Sequence, residues 1–150
     1  MDWKIKSFEQ LNLEELYALL ALRTDVFVVE QSCPYPEVDR RDSTCYHLLV
    51  KEKNELIAYL RILPRGQTFE EASIGRVLVS PSYRCQGLAR FIMVKAIEFI
   101  EKEWKEEKIK IAAQAYLQDF YVQIGFEVVS DIYLEDDIPH VDMLYMKPTN

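Results

Sequence analysis

Apolar and polar residues alternate from Trp3 to Phe8, the two-residue period of a half-buried strand. At Asn12 the period changes. Asn12 is a capping residue with Glu15 three positions on, and Leu16, Leu19, Leu20 and Phe27 follow at helical spacing. The pattern predicts a first helix that ends before Cys33-Pro34-Tyr35-Pro36. The polar, acidic stretch 34–44 reads as a loop with room for one short helical turn. Strands follow over 46–51 and 55–63, joined at Lys53-Asn54. A turn at Pro64-Arg65-Gly66 leads to a strand over 73–79, which Pro81 stops.

From Leu88 to Glu106 the chain carries an apolar stripe of helical period: Leu88, Phe91, Ile92, Val94, Ile97 and Ile100, with Lys95, Phe99 and Trp104 alongside. Residues 101–108 form its solvated, charged end. A short strand over 109–113 is apolar enough for the middle of a sheet. Residues 116–124 read as a short helix closed by Gly125. Strands over 126–129 and 140–146 close the chain, separated by the acidic turn Glu135-Asp136-Asp137. This order predicts one domain over residues 1–150, of mixed α/β or α+β class, built around one sheet.

Composition narrows the chemistry. The 150 residues are 49% hydrophobic and 29% charged, ordinary for a globular chain. No apolar run approaches the ~18 residues of a membrane span, and Met1-Asp2-Trp3-Lys4 lacks the basic and apolar regions of an export signal. A net charge of −7 argues against a nucleic-acid partner, which a basic excess usually serves. Cys33, Cys45 and Cys85 are odd in number and match no metal-ligand spacing. Reduced thiols, a cytoplasmic location and no metal are the expectation.

The stretch from Val77 to Arg90 carries the strongest chemical signal. A strand ends, a short turn follows, and a long helix begins at Gly87. The free amides of such a helix start, with its dipole, suit an anion. Gly87 admits a close approach, Ala89 keeps the next exposed position small, and Arg84 and Arg90 add positive charge. A strand-to-helix turn with glycine also needs no ligand, so both readings stand on these residues alone. The stretch is neither a P-loop, lacking Gly-Lys-Ser/Thr, nor a dinucleotide fingerprint, lacking G-x-G-x-x-G.

Arg84-Cys85-Gln86-Gly87-Leu88-Ala89, placed between a strand and a long helix, resembles the acetyl-CoA pyrophosphate loop of the GNAT superfamily of N-acetyltransferases, Gln/Arg-x-x-Gly-x-Gly/Ala. Downstream, Tyr121 with Gly125-Phe126 resembles a second superfamily element, and Gln114 stands where Asn is common. The segments Arg23 to Asp39, Gly75 to Pro81, Ala113 to Gln118 and Asp136 to His140 are similar to the bacterial ElaA-like branch, over residues 3 to 147. The resemblance implies a mixed, mostly antiparallel sheet of six to seven strands flanked by about four helices, splayed between its fourth and fifth strands. It implies acetyl-CoA as cosubstrate and direct transfer of acetyl to a primary amine of an unidentified acceptor. By the same likeness Val77, Leu78 and Val79 would offer backbone groups to pantetheine. The amides of Cys85, Gln86, Gly87, Leu88, Ala89 and Arg90 would hold the pyrophosphate, with Arg84 and Gln114 beside them. Tyr121 would donate to the departing thiolate.

Arg23, Phe27, Glu37, Asp39 and Asp42 also resemble the N-terminal pattern of acyl-homoserine-lactone synthases, an alternative acyl transfer on the same fold. A non-catalytic acyl-CoA-binding module and a purely structural partner-binding domain are further alternatives. Partners expected are acetyl-CoA and an amine, with neither nucleic acid nor membrane, and a monomer or homodimer. Tyr121 could instead be a core aromatic. Cys85 is read as an amide donor rather than a nucleophile, and His47 and His140 as hydrogen-bonded structural residues. Glu30, Glu37, Asp39 and Asp42 are either a solvated loop or an acceptor-binding one. In the second reading Glu30, following the apolar Val26 to Val29, is a partly desolvated base of raised pKa.

Overall fold

The computed structural model describes residues 1–149. Strands β1 (Asp2–Ser7), β2 (Tyr46–Glu52), β3 (Glu55–Leu63) and β4 (Ser73–Val79) form one antiparallel sheet in that order. Strands β5 (Lys108–Gln114), β6 (Phe126–Val128) and β7 (Tyr133–Glu135) each pair antiparallel with β8 (Ile138–Met146) in a second. One parallel bridge, Ala72 with Ile109, joins the two sheets, and the Lys110 amide donates to the Ala72 carbonyl there at 2.9 Å. Beyond it no ladder connects β4 to β5 among the described residues. The splay expected between the fourth and fifth strands is therefore present.

Helix α1 (Leu13–Arg23) opens with the expected capping box: the Glu15 amide donates to Asn12 Oδ1 at 2.8 Å, and the Asn12 amide to Glu15 Oε1 at 3.0 Å. Past Arg23 the same helix widens into π-type turns over Thr24–Glu30. The sequence there, Thr24-Asp25-Val26-Phe27-Val28-Val29, is a run of weak helix formers, and the Thr24 hydroxyl bonds back to the Leu20 carbonyl at 2.9 Å. Helix α2 (Leu88–Glu103) is shorter than expected, and its fully buried face runs through Ile92, Met93, Ala96 and Ile100, while Val94 is exposed. Helix α3 (Gln118–Ile124) is closed by Gly125 at φ +122°, where an added Cβ would stand 3.2 Å from the Tyr145 ring.

The described residues form eight strands and three α-helices, roughly in line with the six to seven strands and about four helices expected. The extra strand is β7, whose three residues are too few to show a period. It forms a hairpin with β8 through Asp136 and Asp137, both at positive φ. Strand β8 also starts two residues before His140 and takes in the exposed Pro139.

The apolar residues divide by strand alternation. One face packs α2 and α3 against Leu60, Ile62, Ile111, Ala113, Val141 and Met143. The other packs α1 and its π turns against Leu49, Leu56, Tyr59 and Leu78.

On this second face lies a buried ionic network. Fully buried Arg23 donates from Nε to Glu37 Oε2 and from a terminal nitrogen to Asp42 Oδ1, each at 2.7 Å. Arg61 pairs with Asp39, and reaches Asp42 Oδ1 at 3.1 Å. Arg76 donates from Nε to Glu37 Oε2 at 2.7 Å. Fully buried His47 joins the edge: its Nε2–H donates to the Asp42 carbonyl at 2.9 Å, and its Nδ1 accepts from the Tyr59 hydroxyl at 2.6 Å. Burial pushes the pKa of His47 down, so it stays neutral, in the structural role expected of it.

Removing one partner of a buried pair strands the other's charge, at about 3–5 kcal/mol. Arg23→Met should lose stability on that scale in urea unfolding. A loss below about 1 kcal/mol would show that the network is not needed to hold the loop.

Candidate active site

The parting of β4 from β5 opens a cleft of about 820 Å³. Its formation begins in β4. Two residues there, Arg76 and Val77, stand opposite the single Leu60 of β3, a two-against-one bulge with Arg76 at φ +51°. Such a backbone costs about 1–3 kcal/mol in a non-glycine residue. Here it is held by Glu37 and by stacking of the guanidinium 5.5 Å from the Phe27 ring and 5.6 Å from Tyr35.

At the end of β4 the chain turns through Pro81–Tyr83 and enters α2 at Gly87, φ +81°. The first α2 bond runs from the Phe91 amide to the Gly87 carbonyl at 3.0 Å, and no side chain caps the start. The amides of Leu88, Ala89 and Arg90 are thus without helical partners. A Cβ built on Gly87 meets nothing within 4 Å. The turn is a concave set of backbone donors at the N-terminus of a 16-residue helix, open to the cleft.

Every residue assigned from sequence lines this cleft except Gln86, which lies on the exposed loop away from the wall. Val77, Leu78, Val79, Cys85, Gly87 and Leu88 stand on one side. Gln114, at the end of β5, exchanges amide bonds with Gln31 at 3.3 and 3.5 Å, a partner that sequence reasoning missed. Tyr121 is 7% exposed, against Phe120 and Phe126, and burial pushes its pKa up to about 12. It is at once a core aromatic and a wall of the cleft.

Three expectations are corrected. Arg84 was expected to lend its charge to an anion. Instead its Nε donates to the Val79 carbonyl at 2.9 Å, and both terminal nitrogens clasp Glu30 at 2.7 and 2.8 Å. Glu30 was expected to be a desolvated base. Its side chain is 44% exposed, and the Arg84 hydrogen bonds hold its pKa below the usual carboxylate range. Glu37, Asp39 and Asp42 were expected as a solvated or an acceptor-binding loop. They are neutralised by Arg23, Arg61 and Arg76 and work as framework.

His140 is better placed than sequence suggested. It is 8% exposed, lines the cleft, and sits directly opposite Gln114 across the β5–β8 ladder. Its Nδ1–H donates to the Ile138 carbonyl at 2.7 Å, and Nε2 lies 3.5 Å from Glu135 Oε2. From sequence it is a structural residue at the start of the last strand; the cross-strand partner and the cleft are what sequence did not show.

The family model "Acetyltransferase (GNAT) domain" matches residues 17–146. Protein ElaA of Escherichia coli is 41% identical over 95% of both chains. A UPF0039 protein of the yeast Schizosaccharomyces pombe is 43% identical, also over 95% of both, so such relatives are not confined to bacteria. The crystal structure of an acyl-CoA N-acyltransferase from Pseudomonas aeruginosa superposes with a TM-score of 0.91 at 44% identity, covering 97% of this chain and 99% of that one.

The Glu30–Arg84 pair is exposed, and such pairs contribute about 0–1 kcal/mol. Glu30→Gln should leave the thermal midpoint nearly unchanged. A drop comparable to that of Arg23→Met would place Glu30 in the framework instead.

Proposed function

The chain belongs to the GNAT acetyltransferase family, in its ElaA-like branch, and on that premise we propose that it transfers acetyl from acetyl-CoA directly to a primary amine. Family membership itself supports acyl-CoA-dependent N-acyl transfer. The observation that carries the finer reading is the shared cleft: unpartnered amides at the start of α2, the unladdered edge of β4, and Tyr121 all line it.

In this reading the amides from Cys85 to Arg90 bind the pyrophosphate, and Val77 to Val79 face the pantetheine arm. Arg84 organises the loop rather than meeting the phosphates. The thioester supplies the acetyl group. The amine lone pair attacks its carbonyl carbon, the new C–N bond forms, and the C–S bond breaks with its electron pair on sulfur. Tyr121 donates a hydrogen bond to that sulfur. A phenol of pKa about 12 is a weaker acid than a thiol near 8.5. Full proton transfer to the thiolate is therefore uphill, and Tyr121 acts by stabilising the developing charge.

A thiol-release assay with saturating acetyl-CoA and a panel of primary amines tests this reading. Tight acetyl-CoA binding with no thiol released for any amine would favour a non-catalytic binding module. Tyr121→Phe should lower kcat by about 10²–10³, with acetyl-CoA affinity nearly intact. Because the phenol remains protonated well above neutrality, activity should show no alkaline fall from Tyr121 below about pH 11. Turnover at the wild-type rate would return Tyr121 to packing alone.

Gly87→Val should weaken acetyl-CoA binding by tenfold or more, about 1.4 kcal/mol, as read by calorimetry. The protein itself loses only the strain of a β-branched residue at positive φ, about 1–3 kcal/mol. Unchanged affinity would reduce the loop to an ordinary turn.

A further inference from the structure

We propose that His140 is the base that takes the proton from the acceptor amine, with Glu135 as its outlet to solvent. The inference rests on the acetyl-transfer reading and names the group that Glu30 fails to be.

The argument begins with the alternation of β8. Val141, Met143 and Tyr145 face the core that contains α2, α3 and Tyr121. His140 therefore faces the opposite side of the sheet, as does its register partner Gln114, which meets Gln31 just beyond the π turns. Tyr121 and His140 line one cleft from the two faces of the split sheet. Displacement at a carbonyl brings the nucleophile in on a different side from the leaving group. A thioester threaded through the split, with sulfur toward Tyr121, would present its carbonyl to an amine arriving from the face of His140. Ala112, exposed on that face of β5, keeps the approach open.

The hydrogen bonds then set the chemistry of the ring. A carbonyl can only accept, so the Ile138 contact fixes the proton of neutral His140 on Nδ1 and leaves the lone pair on Nε2. Glu135 Oε2 lies 3.5 Å from Nε2, within reach of a proton carried there, and with its side chain 55% exposed it opens to water. Tyr133 stacks on the ring from β7 with its hydroxyl donating to Asp142, and Gln114 stands opposite on β5. Neither is a cation. The proton count closes. An alkylammonium must lose two protons to become an amide N–H: one ends on the sulfur of the released thiol, and the other leaves through Nε2 and Glu135.

The test compares two acceptor probes, 1,5-diaminopentane, a protonated alkylamine at neutral pH, and 2,2,2-trifluoroethylamine, which is mostly free base there. His140→Asn keeps an amide donor for the Ile138 carbonyl and removes the lone pair at Nε2. It should lower kcat/KM for diaminopentane by about 10²–10⁴, abolish the acid limb of its pH profile, and affect trifluoroethylamine far less. Acetyl-CoA affinity should not change. Glu135→Gln should lower kcat/KM for diaminopentane by a smaller factor and leave trifluoroethylamine little changed, since the proton loses its outlet to solvent. A diaminopentane profile identical to wild type in His140→Asn, or equal losses on both amines, overturns the proposal while leaving acetyl transfer intact. Wild-type protein that binds acetyl-CoA yet releases no thiol with either amine overturns the transfer reading, and this inference with it. Nitrogen-15 spectra of the wild-type ring give a check that needs no acceptor: a proton on Nε2 rather than Nδ1 at alkaline pH would refute the assignment.

Discussion

The buried pairing of Arg23, Arg61 and Arg76 with Glu37, Asp39 and Asp42 is the constraint on which the loop beside the cleft depends. Three positive and three negative side chains cancel, so the network can lie against the sheet without a net charge in the interior. Its cost is desolvation, which the short charge-assisted bonds offset only because nearly every donor is used. The Nε of Arg61 is the buried side-chain atom left without a partner among the described residues. Apolar residues could cover the sheet at lower cost. What the ionic version adds is direction: a forked guanidinium accepts a carboxylate in few geometries, so Arg23 fixes where Glu37 and Asp42 lie. The irregular segment between the π turns and β2, whose one regular stretch among the described residues is the 3-10 turn Asp42–Thr44, is thereby held in one place.

The same network reaches the cleft through one residue. Arg76 sits in the bulge of β4, its backbone at positive φ and its guanidinium against Glu37, Phe27 and Tyr35. The strained residue that deforms β4 is thus clamped by the loop and by the widened end of the first helix. The split between β4 and β5, the loop wall and the π turns are consequently one mechanical unit.

Much of this was legible in the chain, and the rest was not for definite reasons. Local signals were sound: the Asn12–Glu15 box, the period of α2 and the Gly87 and Gly125 turns depend on neighbours within a few residues. The strand-turn-helix start at Gly87 and the Tyr121 to Phe126 segment were legible as a pair of cleft-lining stretches because each is written in contiguous residues. Pairings across the fold were not. Glu30 meets Arg84 54 positions away, and Glu37 meets Arg76 39 positions away. Read locally, both carboxylates belong to an acidic loop. In the folded chain the first is clasped by an arginine and the second is buried between two. The π turns escaped notice because a helical period of 3.6 and a wider one look alike over seven residues. β7 escaped because three residues carry no period.

The distribution of arginines also bears on how an acidic chain would hold a polyanionic substrate. Arg23, Arg61 and Arg76 are committed to the interior network, and Arg84 to Glu30 and the Val79 carbonyl. Of the basic side chains at the start of α2, Arg90 is not drawn into such a pair among the described residues, and it lines the cleft. Attraction at this end must then come chiefly from backbone amides and the helix dipole, which act within about one turn and carry no net charge. Such a site is short-ranged. It neither collects anions from a distance nor conflicts with a surface of net charge −7. It needs instead an accurate backbone, which the positive φ of Cys85 and Gly87 and the brace of Arg84 on the Val79 carbonyl provide. The arginine that sequence placed on an anion is therefore spent on holding the loop, and under the proposed reading it would serve the site only through that loop's backbone.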